Sequence, residues 1–171
     1  MSQASTAVAD AQAAASTSDC GGLAEGTRVL TLRGEQPVQD LRPGDRIITR
    51  DAGAQVLRRV SIRDLSGAAM TRLSPDSLGV GRPGADILLA PGQRILLRDW
   101  RAKALYGQAQ AMVPVSRLID GQYIAEVKVT RLRVFELEFD RQHVIYAEGL
   151  ELASATLDAT LDASHHASVK P

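Results

Sequence analysis

Side chains able to make or break covalent bonds are scarce in this 171-residue chain: one cysteine, Cys20, and three histidines, His143, His165 and His166. Cys20 is followed by Gly21-Gly22, and a thiol is the one sulfur nucleophile the chain offers. An imidazole titrates near neutrality and can give up a proton, so a histidine is the natural general acid. His143 is the one histidine outside the C-terminal tail. His165 and His166 are adjacent, so their rings diverge, and no third ligand is near in sequence. A single cysteine excludes an internal disulfide and any multi-cysteine metal site. We expect no metal and no cofactor.

The stretch LAPGQRILL, residues 89–97, raises a second question. Pro91-Gly92 breaks an apolar run, and Gln93 opens the next one with Ala90 just before the break. A carboxamide donates and accepts hydrogen bonds but does not titrate in water. Gln93 is either a polar group filling a central slot or a strand-start residue facing solvent. Arg58, Arg59 and Arg63, flanked by Asp51 and Asp64, read as a solvated strand edge. Trp100 and Tyr106 near Lys103 read as a recognition surface or as packing.

The elements that must position these residues are strands. With 44% hydrophobic and 23% charged residues, the chain can bury one core, and one domain is expected. Twenty basic side chains balance twenty acidic ones, which argues against nucleic acid or an anionic membrane as partner; protein partners and a monomer are expected. The first residues lack a basic start and an apolar h-region, and no run approaches a membrane span. The expectation is a soluble protein, cytoplasmic or exported by a non-classical route.

Residues 1–18 are rich in Ala, Ser and Thr and are expected to be a disordered arm. Residues 19–154 form the β domain, and 155–171 a tail that is disordered or weakly helical through Leu157 and Leu161. Within the domain, short branched runs alternate with turn signals such as Pro43-Gly44-Asp45. In VKVTRLRVFELEFD the apolar residues alternate with phase slips, predicting long strands bent by bulges. Residues 66–85 read as a long loop or insertion, and apart from Ala9 to Ala15 and the tail no segment offers helical spacing over a dozen residues. GTRVL at 26–30 returns as GQRIL at 92–96, and VQDLRPGDRI at 38–47 returns as VSRLIDGQYI at 115–124, predicting a duplicated, pseudo-two-fold β unit.

This duplication, with EGTRVLTLRGEQPVQDLRPGDRIITRD, ADILLAPGQRILL, VPVSRLIDG and DRQHVIYAEGLELAS, resembles the Hint domains of hedgehog autoprocessing proteins and inteins, and most of all the bacterial Hint-domain proteins outside those groups. The resemblance covers about 20–154. It implies an all-β, horseshoe-shaped disc of two related subdomains. In active members an N-terminal Cys or Ser attacks the carbonyl of the preceding residue, and a Thr-x-x-His element helps protonate the leaving nitrogen.

Measured against that pattern, this sequence departs at each station. The family text Cys-Phe-x-x-Gly-Thr places the nucleophile at Gly22, so Cys20 lies two residues early; two extended residues span up to about 7 Å, whereas attack needs atoms about 3 to 3.5 Å apart. Ala90 and Gln93 stand in place of the Thr and His. Relatives read Asp-Arg-His where this chain has Asp140-Arg141-Gln142, and His143 comes one step later, which in a strand turns it to the other face. The resemblance therefore implies a Hint-type domain with impaired or lost self-cleavage, acting as a binding or structural module. The alternatives are an active domain making an N-to-S acyl shift at Asp19-Cys20, with His143 and Gln93 as helpers, and an unrelated β-sheet interaction domain.

Overall fold

The structure, a computed structural model, describes residues 20–157; the expected N-terminal arm and the tail beyond residue 157, with His165 and His166, lie outside the described residues. Among the described residues the fold is all-β apart from one short helix and two 3-10 turns.

The long pattern around residue 130 becomes the spine. Strand β10 (Ile124–Phe139) runs antiparallel to β6 (Arg59–Leu73) from Ile124↔Leu73 to Glu138↔Arg59. The phase slip arises without a change of register: pairing skips only Thr130 and Gly67, between Val129↔Ala68 and Arg131↔Ser66. Gly67 sits at φ 60°, a left-handed conformation that glycine tolerates, so both strands leave the ladder at the same step. The expectation of a loop over 66–85 is corrected accordingly. Residues 66–73 continue β6, because a partner of equal length offers every backbone group a hydrogen bond; the irregular segment begins at Ser74. β7 (Ile87–Leu89) pairs with the end of β6, and β1 (Leu23–Ala24) lies between β7 and β10. β13 (Ala155–Thr156) adds in parallel to the other edge of β10.

The second sheet carries the repeat. β2 (Arg28–Thr31) and β3 (Gly34–Pro37) form a hairpin from Arg28↔Pro37 to Thr31↔Gly34; β8 (Arg94–Leu97) and β9 (Ala111–Pro114) form its counterpart from Arg94↔Pro114 to Leu97↔Ala111. Each ends in Pro and passes directly into a 3-10 turn, at Val38–Asp40 and Val115–Leu118. The Val38 N–H donates to the Thr27 carbonyl and the Val115 N–H to that of Gln93, both at 2.8 Å. Thr27 and Gln93 are thus equivalent stations, both buried. Between the hairpins lie β11 (Val144–Ala147) and β12 (Leu150–Ala153), with β4 (Arg46–Thr49) and its partner β5 (Gly53–Val56) alongside.

The helix, α1 (Trp100–Tyr106), fills the loop of the second hairpin and is shorter than the dozen residues over which helical spacing could be read. Seven residues are too few for a periodic signal; its sequence mark is a cap, the Asp99 carboxylate accepting the Arg101 N–H at 2.9 Å. The main core joins Val29, Ile47, Ile95, Phe135, Leu137 and Leu152 between the sheets, while Met70, Ala90 and Val134 make a second cluster. Phe135 and Val134 are consecutive, so β10 is covered on both faces here, and the second cluster is where the chain's first described residues cross.

Candidate functional site

Strand β1 fixes the site because its pairings, Leu23↔Phe135 and Leu23↔Leu89, lay the preceding residues against β10 and the turn after β7. The Gly21–Gly22 peptide is gripped at both polar atoms. Arg63, from β6, donates through Nη2 to the Gly21 carbonyl, and Gln93 Oε1 accepts the Gly22 N–H at 2.9 Å. The next carbonyl, of Gly22, accepts the Ala90 N–H at 3.0 Å. Gln93 is 5% exposed and its amide is fully used: Nε2 donates to the carbonyls of Ala153 at 2.8 Å and Arg94 at 3.1 Å. The Ala90–Gln93 turn that presents it is closed by the Gln93 N–H on the Ala90 carbonyl at 2.9 Å.

Both glycines are required by close approach. A Cβ on Gly21 would lie 2.9 Å from Gln93 Oε1 and 3.5 Å from Glu136 Oε1. At Gly22, with φ 143°, it would lie 2.3 Å from Val134 Cγ1. Glu136 is therefore a carboxyl beside the clamped peptide. Burial raises its pKa above the ordinary value, Arg63 opposes that rise, and Glu138 adds to it. In sequence Glu136 belongs to the polar phase between Phe135 and Leu137, which reads as solvent-facing; because β10 is covered on both faces, that phase points into the site instead. The centre accordingly holds a titratable group, although neither the nucleophile station nor the Thr-x-x-His station supplies one.

A family model described as the Hint domain matches residues 21–159. The chain belongs to the Hint-domain family. Solved structures agree in fold: a bacterial intein-like domain from Clostridium thermocellum matches with a TM-score of 0.55 at 13% identity, over 78% of this chain and 97% of that one. The TvoVMA intein matches with a TM-score of 0.55 at 14% identity over 78% and 96%. A DnaB intein from Synechocystis sp. PCC 6803 gives 0.51 at 13% over 80% and 99%. No curated protein matches in sequence. The reading as an unrelated β-sheet domain falls with these findings.

Within this Hint domain the residues singled out by sequence divide between two places. Ala90 and Gln93 both meet the chain at Gly22, Gln93 at its N–H and Ala90 at its carbonyl. Cys20, half-buried, precedes that peptide directly, and its partner in the alternative reading, Asp19, lies outside the described residues. Gln142 shares a groove with Gln93, Glu136 and Gly21 and reaches the Ser154 carbonyl at 3.5 Å. His143 is turned elsewhere. Its Nδ1 lies 2.8 Å from Asp51 Oδ2, and its ring meets Phe139 edge-on with centroids 5.6 Å apart. Asp51 also accepts the Val144 N–H at 2.9 Å; burial would raise its pKa, but that hydrogen bond and His143 outweigh it, so the carboxyl lies below the ordinary aspartate value.

The basic run is a solvated edge only in part: Arg58 is exposed, while Arg59 and Arg63 are half-buried. Arg58 pairs with Asp140 at 3.0 Å, Arg59 with the buried Glu138 at 2.6 Å, and Arg63 enters the site. Trp100 is exposed with the Arg101 guanidinium over its ring, while Tyr106 packs against the core. Among the described residues no three His, Cys, Asp or Glu side chains are grouped to hold a metal, and no helix is long and apolar enough to cross a membrane.

Proposed function

We propose that this Hint domain does not self-cleave and serves as a structural and protein-binding module, with the old reactive centre acting as a clamp on the chain at Gly21–Gly22. The observation that carries this reading is Gln93 Oε1 accepting the Gly22 N–H. In an acyl shift the departing nitrogen must gain a proton, and an amide oxygen held against that nitrogen can only accept one. Absence of general-acid help costs about 10²- to 10⁴-fold in rate. The nucleophile station is a glycine whose Cβ would strike Val134, so side-chain attack from Gly22 is not available. What remains is a peptide held at carbonyl and N–H, a fixed point suited to a structural and protein-binding module.

Glu136 is the observation that favours the second reading, autoprocessing at Asp19-Cys20. A carboxyl with a raised pKa is a proton donor, and Arg63 is a cation at a carbonyl. Hydroxylamine, which cleaves esters and thioesters, separates the readings. The clamp reading expects full-length protein after treatment of both wild type and Cys20→Ala. Release from wild type but not from Cys20→Ala establishes the acyl shift instead.

A further inference from the structure

A second site lies away from the clamp, around His143. The turn between β4 and β5 and the loop after β10 enclose a cavity of about 500 Å³ lined by Asp51, Gln55, Arg58, Asp140, Arg141 and His143 among others. His143 is 5% exposed, yet nothing in the clamp uses it. With Nδ1 directed at the Asp51 carboxylate, the imidazole has Nε2 left for a ligand, and a carboxylate partner in this position fixes the orientation of the ring.

The charges around the cavity are unequal in their engagement. Asp51 is taken by His143 and the Val144 N–H. Asp140 is taken by Arg58, whose Nε and Nη2 both reach Oδ2, at 3.1 and 3.0 Å. Glu138, on the neighbouring strand, is bound by Arg59 and Ser61. Each carboxylate therefore has a hydrogen-bond or ion-pair partner of its own. Among the described residues Arg141 has no ion-pair partner, and it lines the cavity beside His143.

We propose that this cavity is a binding site for a small oxyanion, a phosphate or carboxylate, held by the Arg141 guanidinium and by His143 through Nε2–H. A guanidinium fork and a charged imidazole donate to oxyanions with short, strong hydrogen bonds. Because only the imidazolium donates from both nitrogens, binding is coupled to proton uptake, and affinity falls as pH rises through the imidazole titration. Asp51, Arg58, Asp140 and Arg141 are the charged groups that line the cavity with the ring.

The test is NMR titration of the full chain, following the His143 ring resonances, assigned by their loss in His143→Gln, against pH with and without inorganic phosphate or acetate. Saturable shifts with either anion, a His143 titration midpoint displaced upward by that anion, and affinity weakened about tenfold in Arg141→Gln support the site. Arg141 is exposed, so that variant folds. An unchanged midpoint with both anions, or wild-type affinity in Arg141→Gln, overturns it. Neither result bears on cleavage, so this proposal and the clamp stand or fall separately.

Discussion

Gln93 and Gly22, 71 positions apart in sequence, are joined by a buried hydrogen bond of 2.9 Å from the glycine N–H to the glutamine Oε1. The bond ties the first crossing of the chain to the start of the second repeat, and the same side chain ties both to Ala153 at the far end of β12. Gln93 is thus a three-way junction. Replacement by Leu, close in volume but without polar atoms, leaves the Gly22 N–H and the Ala153 carbonyl buried without partners. Each orphaned group costs about 1 to 3 kcal/mol, so Gln93→Leu should lower unfolding free energy by about 2 to 6 kcal/mol in urea denaturation. A loss below about 0.5 kcal/mol, typical of an unremarkable surface change, would place Gln93 outside the junction.

Gly22 and Val134 form a steric pair. Overpacking costs about 1 to 3 kcal/mol, and Gly22→Ala places a methyl against Val134 Cγ1 while also straining a backbone at φ 143°. Val134→Ala destabilises by opening a small cavity. In the double variant the methyl occupies the space the valine vacates, so the two costs should sum to about 1 kcal/mol more than the measured total. Strict additivity in the double-mutant cycle would mean that the backbone conformation alone, and not contact with Val134, demands glycine.

Acid–base titration of stability should show two opposed limbs. Glu136 has its pKa raised by burial, against Arg63, so the folded state holds that proton more tightly than the unfolded chain. Its contribution is full below the ordinary value of 4.5 and is lost as pH rises through the folded value. Asp51 has a lowered pKa, so its contribution is present above 3.8 and is lost as pH falls through the folded value. Glu136→Gln should flatten the decline above pH 4.5 and Asp51→Asn should flatten the acid limb. Denaturation midpoints measured across pH check both; unchanged limbs would contradict the assignment of these carboxyls.

The repeat was the most legible part of the fold, because residues such as Val38 and Val115 mark identical strand-to-turn junctions and their text survives in both halves. Ala90 and Gln93 were legible as a station for the same reason: the Pro91-Gly92 break exposes them. His143 is turned away from Gln93, while Gln142 lines the groove, an arrangement that strand alternation suggests from the sequence. Glu136 was not legible, since alternation assigns a polar residue to solvent unless a second layer covers that face. The layer here is the Cys20–Gly22 segment itself, contributed from more than a hundred residues away. The same long-range logic hid Arg59 and Arg63, whose partners Glu138 and the Gly21 carbonyl become neighbours only through the β6–β10 ladder and the crossing of β1.

Reinstating only the imidazole should not revive the reaction. Gln93→His supplies a titrating group at the amide station, yet Gly22 still offers no side chain for attack. The variant is expected to keep its full mass on prolonged incubation, at some cost in stability because one imidazole cannot reproduce all the hydrogen bonds of the amide. Cleavage at Gly21–Gly22 in this variant would show that Glu136 and Arg63 suffice to drive hydrolysis once a proton donor is present.

The central claim is that the Gly21–Gly22 peptide is held and not cut. Intact-mass spectrometry of the wild-type chain after long incubation with dithiothreitol tests it most directly. A held peptide leaves one species at the full mass of the chain. A fragment beginning at Cys20 or Gly22, accumulating with time, would contradict it.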